Sequence, residues 1–283
     1  MIRYPILEKD LIARIKAQNK TWFSRAKART STYIAAGKYT GGNEFWGQIK
    51  SVYISLQYEK CAYCETKLQG AVLASKVHEV EHYRPKSSIQ AWPKQFGWPT
   101  GVASTTGYYK LAYHHFNYAI ACTRCNSTLK SNFFPIRGPR DVQNADPAQM
   151  ADERALLLYP ISTVDADDPQ TIITFDGVLA IPSQRMGPTY ERAVTNIEFF
   201  QLNHEDLTSR RALALIELWI ALEALASDNT AVETRKVAQK LVTLRCSAQG
   251  EFTACNVAFQ QLYQSDHDAA KQMALLLAQS LPD

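Results

Sequence analysis

The apolar positions along the chain change their period several times, and each change marks a different kind of structure. From Glu8 to about Ala36, the residues Leu11, Ile12, Ile15, Trp22 and Phe23 form a stripe among lysines and arginines, the spacing of an amphipathic helix. Gly37 and the pair Gly41-Gly42 break it. A second helix is expected from Asn43 to Glu59, with Phe45, Trp46, Ile49, Val52, Tyr53 and Leu56 on one side. Residues 61–136 show no clean period. They hold four of the six cysteines and four of the six histidines, a mixture that suggests irregular structure organised around metal. Pro139 to Asp152 reads as a linker. Residues 171–181 read as a hairpin, because Asp176-Gly177 separates two runs rich in β-branched residues. Helices are expected beyond Tyr190, with an Ala/Leu-rich one from about His204 to Ala226 and two more over 229–245 and 250–280. The fold class is therefore α+β in three regions: an N-terminal helical arm (1–60), a cysteine-rich core (61–138) and a mainly helical C-terminal region (153–283).

Composition adds the setting. With 46% hydrophobic and 20% charged residues, the chain has the make-up of a soluble globular protein. No apolar run approaches the roughly 20 residues that a membrane helix needs. Charges occupy the opening MIRYPILEKDLIARIK where an export signal would be apolar, so a cytoplasmic location is expected. Thiols stay reduced there, and paired cysteines then suggest a metal rather than a disulfide. The net charge of +4 hides an asymmetry: residues 1–140 hold 21 Lys/Arg against 7 Asp/Glu, whereas 141–283 hold 10 against 20. The basic half suits a polyanion and the acidic half suits solvent or a protein partner. Charge alone is also compatible with two surfaces that have neither role.

Cys61-Ala-Tyr-Cys64 and Cys122-Thr-Arg-Cys125 are two Cys-x-x-Cys pairs with 57 residues between them. Two residues between thiolates let a tight turn aim both sulfurs at one tetrahedral ion, so a structural zinc is expected. Four thiolates close the coordination shell, and that ion would brace the fold without catalysing anything. Cys246 and Cys255 lie in the helical tail and read as buried apolar residues.

His78-Glu79-Val80-Glu81-His82 matches the metallopeptidase pattern H-E-x-x-H, which functions only on a helix. Pro85 disfavours a helix there, and 76–80 suits a strand equally well. Another parsing uses more of the chain: Glu81-His82-x-x-Pro85, then Asn117, then Asn126 directly after the last cysteine, with Lys130 four residues on. This resembles the His-Asn-His (HNH) endonucleases, in which a hairpin and a short helix (ββα-metal) cradle one divalent cation over the scissile phosphate. The resemblance implies His82 as general base, Asn126 and Glu81 as ligands of a catalytic Mg²⁺ or Mn²⁺, and Asn117 as the residue that orients the His82 ring. These types suit the chemistry, because an imidazole can deprotonate water near neutral pH and oxygen donors suit a hard cation. Arg84, Lys86 and Lys130 are candidate phosphate contacts, with Lys94 and Arg137 adding basic density. The plainer alternatives are a structural His82, a helix-capping Asn126 and a solvated Lys130.

Longer phrases narrow the likeness. KCAYCE (60–65), EVEHYRPKS (79–87), ACTRCNSTLKSNFFPI (121–136) and NIEFFQLNHEDLTSRR (196–211) resemble the HNH nuclease subunit of the Septu anti-phage systems, also found as an effector in some retrons. The chain departs from that pattern at His115-Phe116-Asn117, where Trp before the Asn is expected, and at Tyr118, where Leu is frequent. The resemblance implies a partner, an ATPase subunit of the ABC or OLD type, for which the acidic C-terminal half is a candidate docking surface. DNA is the expected substrate, with RNA, including transfer RNA, as its nearest competitor. A non-catalytic zinc-ribbon binder and a metallopeptidase are the readings from other classes.

Overall fold

The computed structural model describes residues 1–68, 80–94 and 96–280. His78 and Glu79 lie outside the described residues. The chain divides into two compact units, one formed mostly by residues 3–169 and the other mostly by 170–283. The division falls near 169, so the N-terminal helices and most of the cysteine-rich stretch share one unit, while Cys64–Thr66 is grouped with the other.

In the first unit, the long stripe read near the N-terminus is two helices, α1 (Glu8–Gln18) and α2 (Trp22–Ala36). Asn19 separates them in an extended conformation, its side-chain oxygen accepting from Thr21 N at 3.1 Å. That local bond competes with continued helix, as Asn side chains commonly do. Gly37 ends α2 in the left-handed region at φ 63°, the usual place for glycine after a helix. The second expected helix shrinks to α3 (Lys50–Leu56), because three consecutive residues, Gly41, Gly42 and Asn43, all have positive φ and a 3₁₀ turn occupies Trp46–Ile49.

The strands are short. β1 (Val80–His82) and β2 (Tyr118–Ile120) pair antiparallel, with His82 opposite Tyr118 and Glu81 opposite Ala119. Val80–His82 is extended, so the described part of H-E-x-x-H lacks the helix that the metallopeptidase reading requires. Gln57, in the residue after α3, completes the ladder from the side. Its Oε1 accepts from Ile120 N at 2.8 Å and its Nε2 donates to Ile120 O at 2.8 Å. Around these strands lies an aromatic core that includes Trp22, Tyr33, Tyr53, Tyr118 and Tyr159. Several tyrosines spend their hydroxyls on backbone carbonyls: Tyr53 on His115 O at 2.6 Å, Tyr159 on Tyr118 O at 2.8 Å and Tyr83 on Leu157 O at 2.6 Å. Buried phenols need such partners, and these fix irregular backbone that has no ladder of its own.

The expected linker is folded structure. Asp141 N donates to Glu153 Oε1 at 2.9 Å, and Tyr109 donates its hydroxyl proton to Gln143 Oε1 at 2.9 Å. Glu153 is the reason: it is 1% exposed and binds Arg84, so the segment before it is drawn onto the unit.

The second unit opens with the expected hairpin, β3 (Ile173–Asp176) and β4 (Leu179–Pro182), with Asp176 opposite Leu179. Gly177 therefore takes the first loop position, at φ 54°. Helices α4 (Gly187–Phe199), α5 (Glu205–Ala226), α6 (Val232–Cys246), α7 (Thr253–Ser265) and α8 (His267–Gln279) follow. The last two were expected as one; Asp266 breaks them, its side chain accepting from Ala269 N at 3.0 Å as an N-cap. α5 packs on α6 and α8, and α7 packs on β3. The phrase 196–211 is structural here. Asn203 bonds both Ala180 N (2.7 Å) and Ala180 O (2.9 Å), and buried Arg211 donates to Leu202 O (2.7 Å) and Val178 O (3.0 Å). No described helix is long and apolar enough to cross a membrane.

Candidate metal centre and the histidine beside it

The four cysteines of the two knuckles meet. The sulfurs of Cys61, Cys64, Cys122 and Cys125 all lie within 4.8 Å of one another, and among the described residues they form the one such group of three or more metal-binding side chains. A tetrahedron of bonds near 2.3 Å has edges of roughly 3.8 Å, so four sulfurs at this spacing can hold an ion such as zinc. Hydrogen bonding sets the spacing. Ala62 N, inside the first knuckle, donates to Ile120 O at 2.9 Å, the same carbonyl that Gln57 uses. Strand β2 thereby delivers the first knuckle to the second, which begins two residues after Ile120.

Cys125 lies on a π-helix, Arg124–Lys130, with Ser131 N donating to Asn126 O at 2.8 Å, five residues back. In an α-helix, residues five apart point roughly 140° away from each other. The wider i→i+5 spiral brings them nearer to one face. Cys125 and Lys130 are the buried members of this segment, and Asn126 is half-exposed.

Lys130 was expected to meet phosphate. Instead it is fully buried, with its Nζ 2.9 Å from Glu81 Oε1 and 3.2 Å from His82 O. Arg84 is likewise corrected: it is 5% exposed and its Nε lies 3.0 Å from Glu153 Oε2. Cations this deep must be paired, which directs both of them to internal carboxylates. Lys86 differs. It is half-exposed, with its ammonium 4.9 Å from the centre of the Trp46 ring.

His82 is 7% exposed, and its Nε2 lies 3.1 Å from Ala112 O. A carbonyl can only accept, so Nε2 carries the proton and Nδ1 keeps the lone pair. Burial holds the imidazolium well below the usual histidine range, and the positive charges of Lys86 and Lys130 push the same way, against the Ala112 bond. The ring is neutral at pH 7 and stands edge-on to Trp46 and Tyr118. Asn117 was expected to orient this ring; Ala112 O does so. Asn117 is fully buried, accepts from Arg84 N at 2.8 Å, and donates to Arg84 O at 3.0 Å and Leu111 O at 3.1 Å. Glu81 carries a pKa raised by burial, which Lys130 opposes.

Of the neighbouring histidines, His114 accepts from Phe116 N at 3.1 Å through Nδ1, and His115 Nε2 lies 3.0 Å from Glu8 Oε1. Sequence reasoning missed Ala112, whose part is played by its backbone, and it placed Trp46 merely on an apolar face. The neighbouring Gly41-Gly42 was the one signal that Trp46 belongs to a special loop.

Fold and site together define an α+β protein with a four-cysteine centre able to hold a metal ion such as zinc, and with a buried neutral histidine on the strand paired with β2. The chain is similar to the Septu protein PtuB of Bacillus mycoides (strain KBAB4), with 30% identity over 166 residues, covering 58% of this chain and 50% of that protein. It spans about half the length of that relative. The likeness to Septu proteins read from the sequence is thereby upheld. No protein-family profile and no solved structure matches the chain.

Proposed function

We propose that this protein is a metal-dependent HNH-type endonuclease, acting on DNA as the effector of an anti-phage defence system together with an ATPase subunit. The observation that carries the reading is the His82 imidazole, held neutral by burial, with Nδ1 as the unprotonated nitrogen because Nε2 donates to Ala112 O. A general base needs that state near neutral pH, and its task here would be to take a proton from the attacking water. The similarity to a Septu protein supplies the defence context and the expectation of a partner.

Zinc in the four-sulfur site would brace the backbone on either side of β2. Asn126 and Glu81 would hold a Mg²⁺ or Mn²⁺ ion, a set of one amide and one carboxylate that waters and phosphate oxygens complete. Such a cation supplies positive charge to the phosphoryl oxygen and the leaving alkoxide. Lys130 favours the ionised Glu81 that this role requires. Lys86 would contact the nucleic-acid backbone.

The test is cleavage of plasmid DNA and of RNA with Mg²⁺ or Mn²⁺, comparing the wild-type chain with His82→Ala. The expected outcome is loss of DNA cleavage in the variant, with bound zinc retained and the chain still folded at the assay temperature. Cleavage of RNA alone would move the substrate to the competing reading, and an H82A protein as active as wild type would remove the nuclease reading altogether.

A further inference from the structure

We propose that Trp46 is a positioning residue of this site, one indole that fixes the His82 ring and the Lys86 ammonium relative to each other. The inference rests on the nuclease reading and deepens it. Trp46 meets the His82 ring at 4.7 Å between centroids and 87° between planes, and the same indole lies 4.9 Å from Lys86 Nζ. A quadrupolar ring favours both partners, an edge-on neighbour and a cation over its face. His82 and Lys86 lie four residues apart on one segment whose backbone is fixed at Tyr83 and Pro85, so what remains free is how their two side chains lie, and the indole, with Tyr39 5.4 Å from the same ammonium, fixes that.

The loop that delivers Trp46 is built to stay still. Residues 41–43 all adopt positive φ, which glycine permits at the first two. Glu44 closes the loop by accepting from Tyr39 Oη at 2.6 Å and Gly42 N at 3.0 Å, and Arg29 Nη1 donates to Gly42 O at 2.7 Å. Phe45 is 4% exposed and stacks on Tyr113 at 4.3 Å. A half-exposed tryptophan next to so many restraints has its place determined more strictly than packing alone requires. A phosphate that accepts from Lys86 would then lie beside the imidazole by construction, the near-attack arrangement that gives positioning its large effect on rate.

The experiment uses the full chain, plasmid DNA and Mg²⁺ or Mn²⁺, with Trp46→Phe, Trp46→Leu, Lys86→Gln and the double variant W46L/K86Q. Trp46→Leu is expected to lower kcat about 10- to 100-fold while KM and the Kd for a non-cleavable oligonucleotide move by less than about threefold. Trp46→Phe, which keeps an aromatic face, should recover most of the rate. Lys86→Gln should raise KM and flatten the salt dependence of binding by about one phosphate contact. In the double variant the two losses should fall short of their product, because the indole acts partly through the lysine. Should Trp46→Leu fail to fold, the cycle is run with Trp46→Met, which also removes the aromatic face. Unchanged kcat in a folded variant without the aromatic face, or losses that multiply fully, would overturn the positioning role. A wild-type protein that cuts neither DNA nor RNA would instead count against the nuclease reading.

Discussion

Lys130 Nζ lies 2.9 Å from Glu81 Oε1, with the two side chains 0% and 4% exposed. An ion pair this deep gains less from attraction than it would lose if halved, since a lone buried charge keeps its full desolvation cost. Lys130→Met should therefore destabilise the protein by about 3–5 kcal/mol, whereas Lys130→Met with Glu81→Gln should cost clearly less. Urea unfolding of the three proteins checks this. Equal losses in the single and double variants would show that the pair is not the unit that matters.

Asn117 should behave as a residue of the fold and His82 as a residue of the chemistry. Asn117→Ala strands Arg84 N, Arg84 O and Leu111 O without their partner, each costing about 1–3 kcal/mol. Its Tm should fall further than that of His82→Ala, which loses one buried ring and one hydrogen bond but should lose all cleavage. A thermally normal N117A protein would contradict the bonding described here.

Acid should act through the histidines. Burial holds His82 and His115 below their ordinary range and takes His114 down to about 3, with His115 adding to the effect at His114. Groups depressed in this way stabilise the folded state above the unfolded value of about 6.5, and that stability is lost as pH falls below it. Each adds up to about 1.4 kcal/mol per pH unit to the slope. His114→Asn, which can still accept from Phe116 N, should remove one share of the slope between pH 6.5 and 4. A slope identical to wild type would refute the assignment.

Metal removal separates the six cysteines into two groups. Cys125→Ser should lose bound zinc and lower Tm by about 10–20 °C, the scale of a loss near 4–5 kcal/mol in a chain of this class. Cys246→Ser should keep its metal, as should Cys255→Ser, whose sulfur instead faces Gly177 O at 3.4 Å. Elemental analysis of each purified variant decides it.

Much of this was legible because it is local. The x-x spacing of each cysteine pair encodes a turn, the Asp176-Gly177 step encodes a hairpin, and the apolar run of α5 encodes its own length. The parts that escaped depend on distant or anonymous partners. Nothing near Arg84 announces Glu153, 69 positions away, and nothing in an alanine side chain reveals that its carbonyl holds His82. The same applies to Lys130: as a cation near a nuclease-like motif it reads as a phosphate contact until burial shows that Glu81 has claimed it. The phrase 196–211 carried a family likeness but no chemistry, since its Asn203 and Arg211 stitch the hairpin to the start of α5 and the turn before it.

The wide spiral from Arg124 to Lys130 also sets a tolerance for sequence length. A thiolate and an ammonium must both turn inward from one short segment, and the five-residue spacing on that spiral keeps them nearer to one face than an α-helix would. Ser127 and Thr128 between them face solvent and can be exchanged with little penalty, but adding a residue would carry the ammonium away from that face and leave Glu81 stranded. The stretch is therefore a ruler, permissive in its lettering and strict in its count.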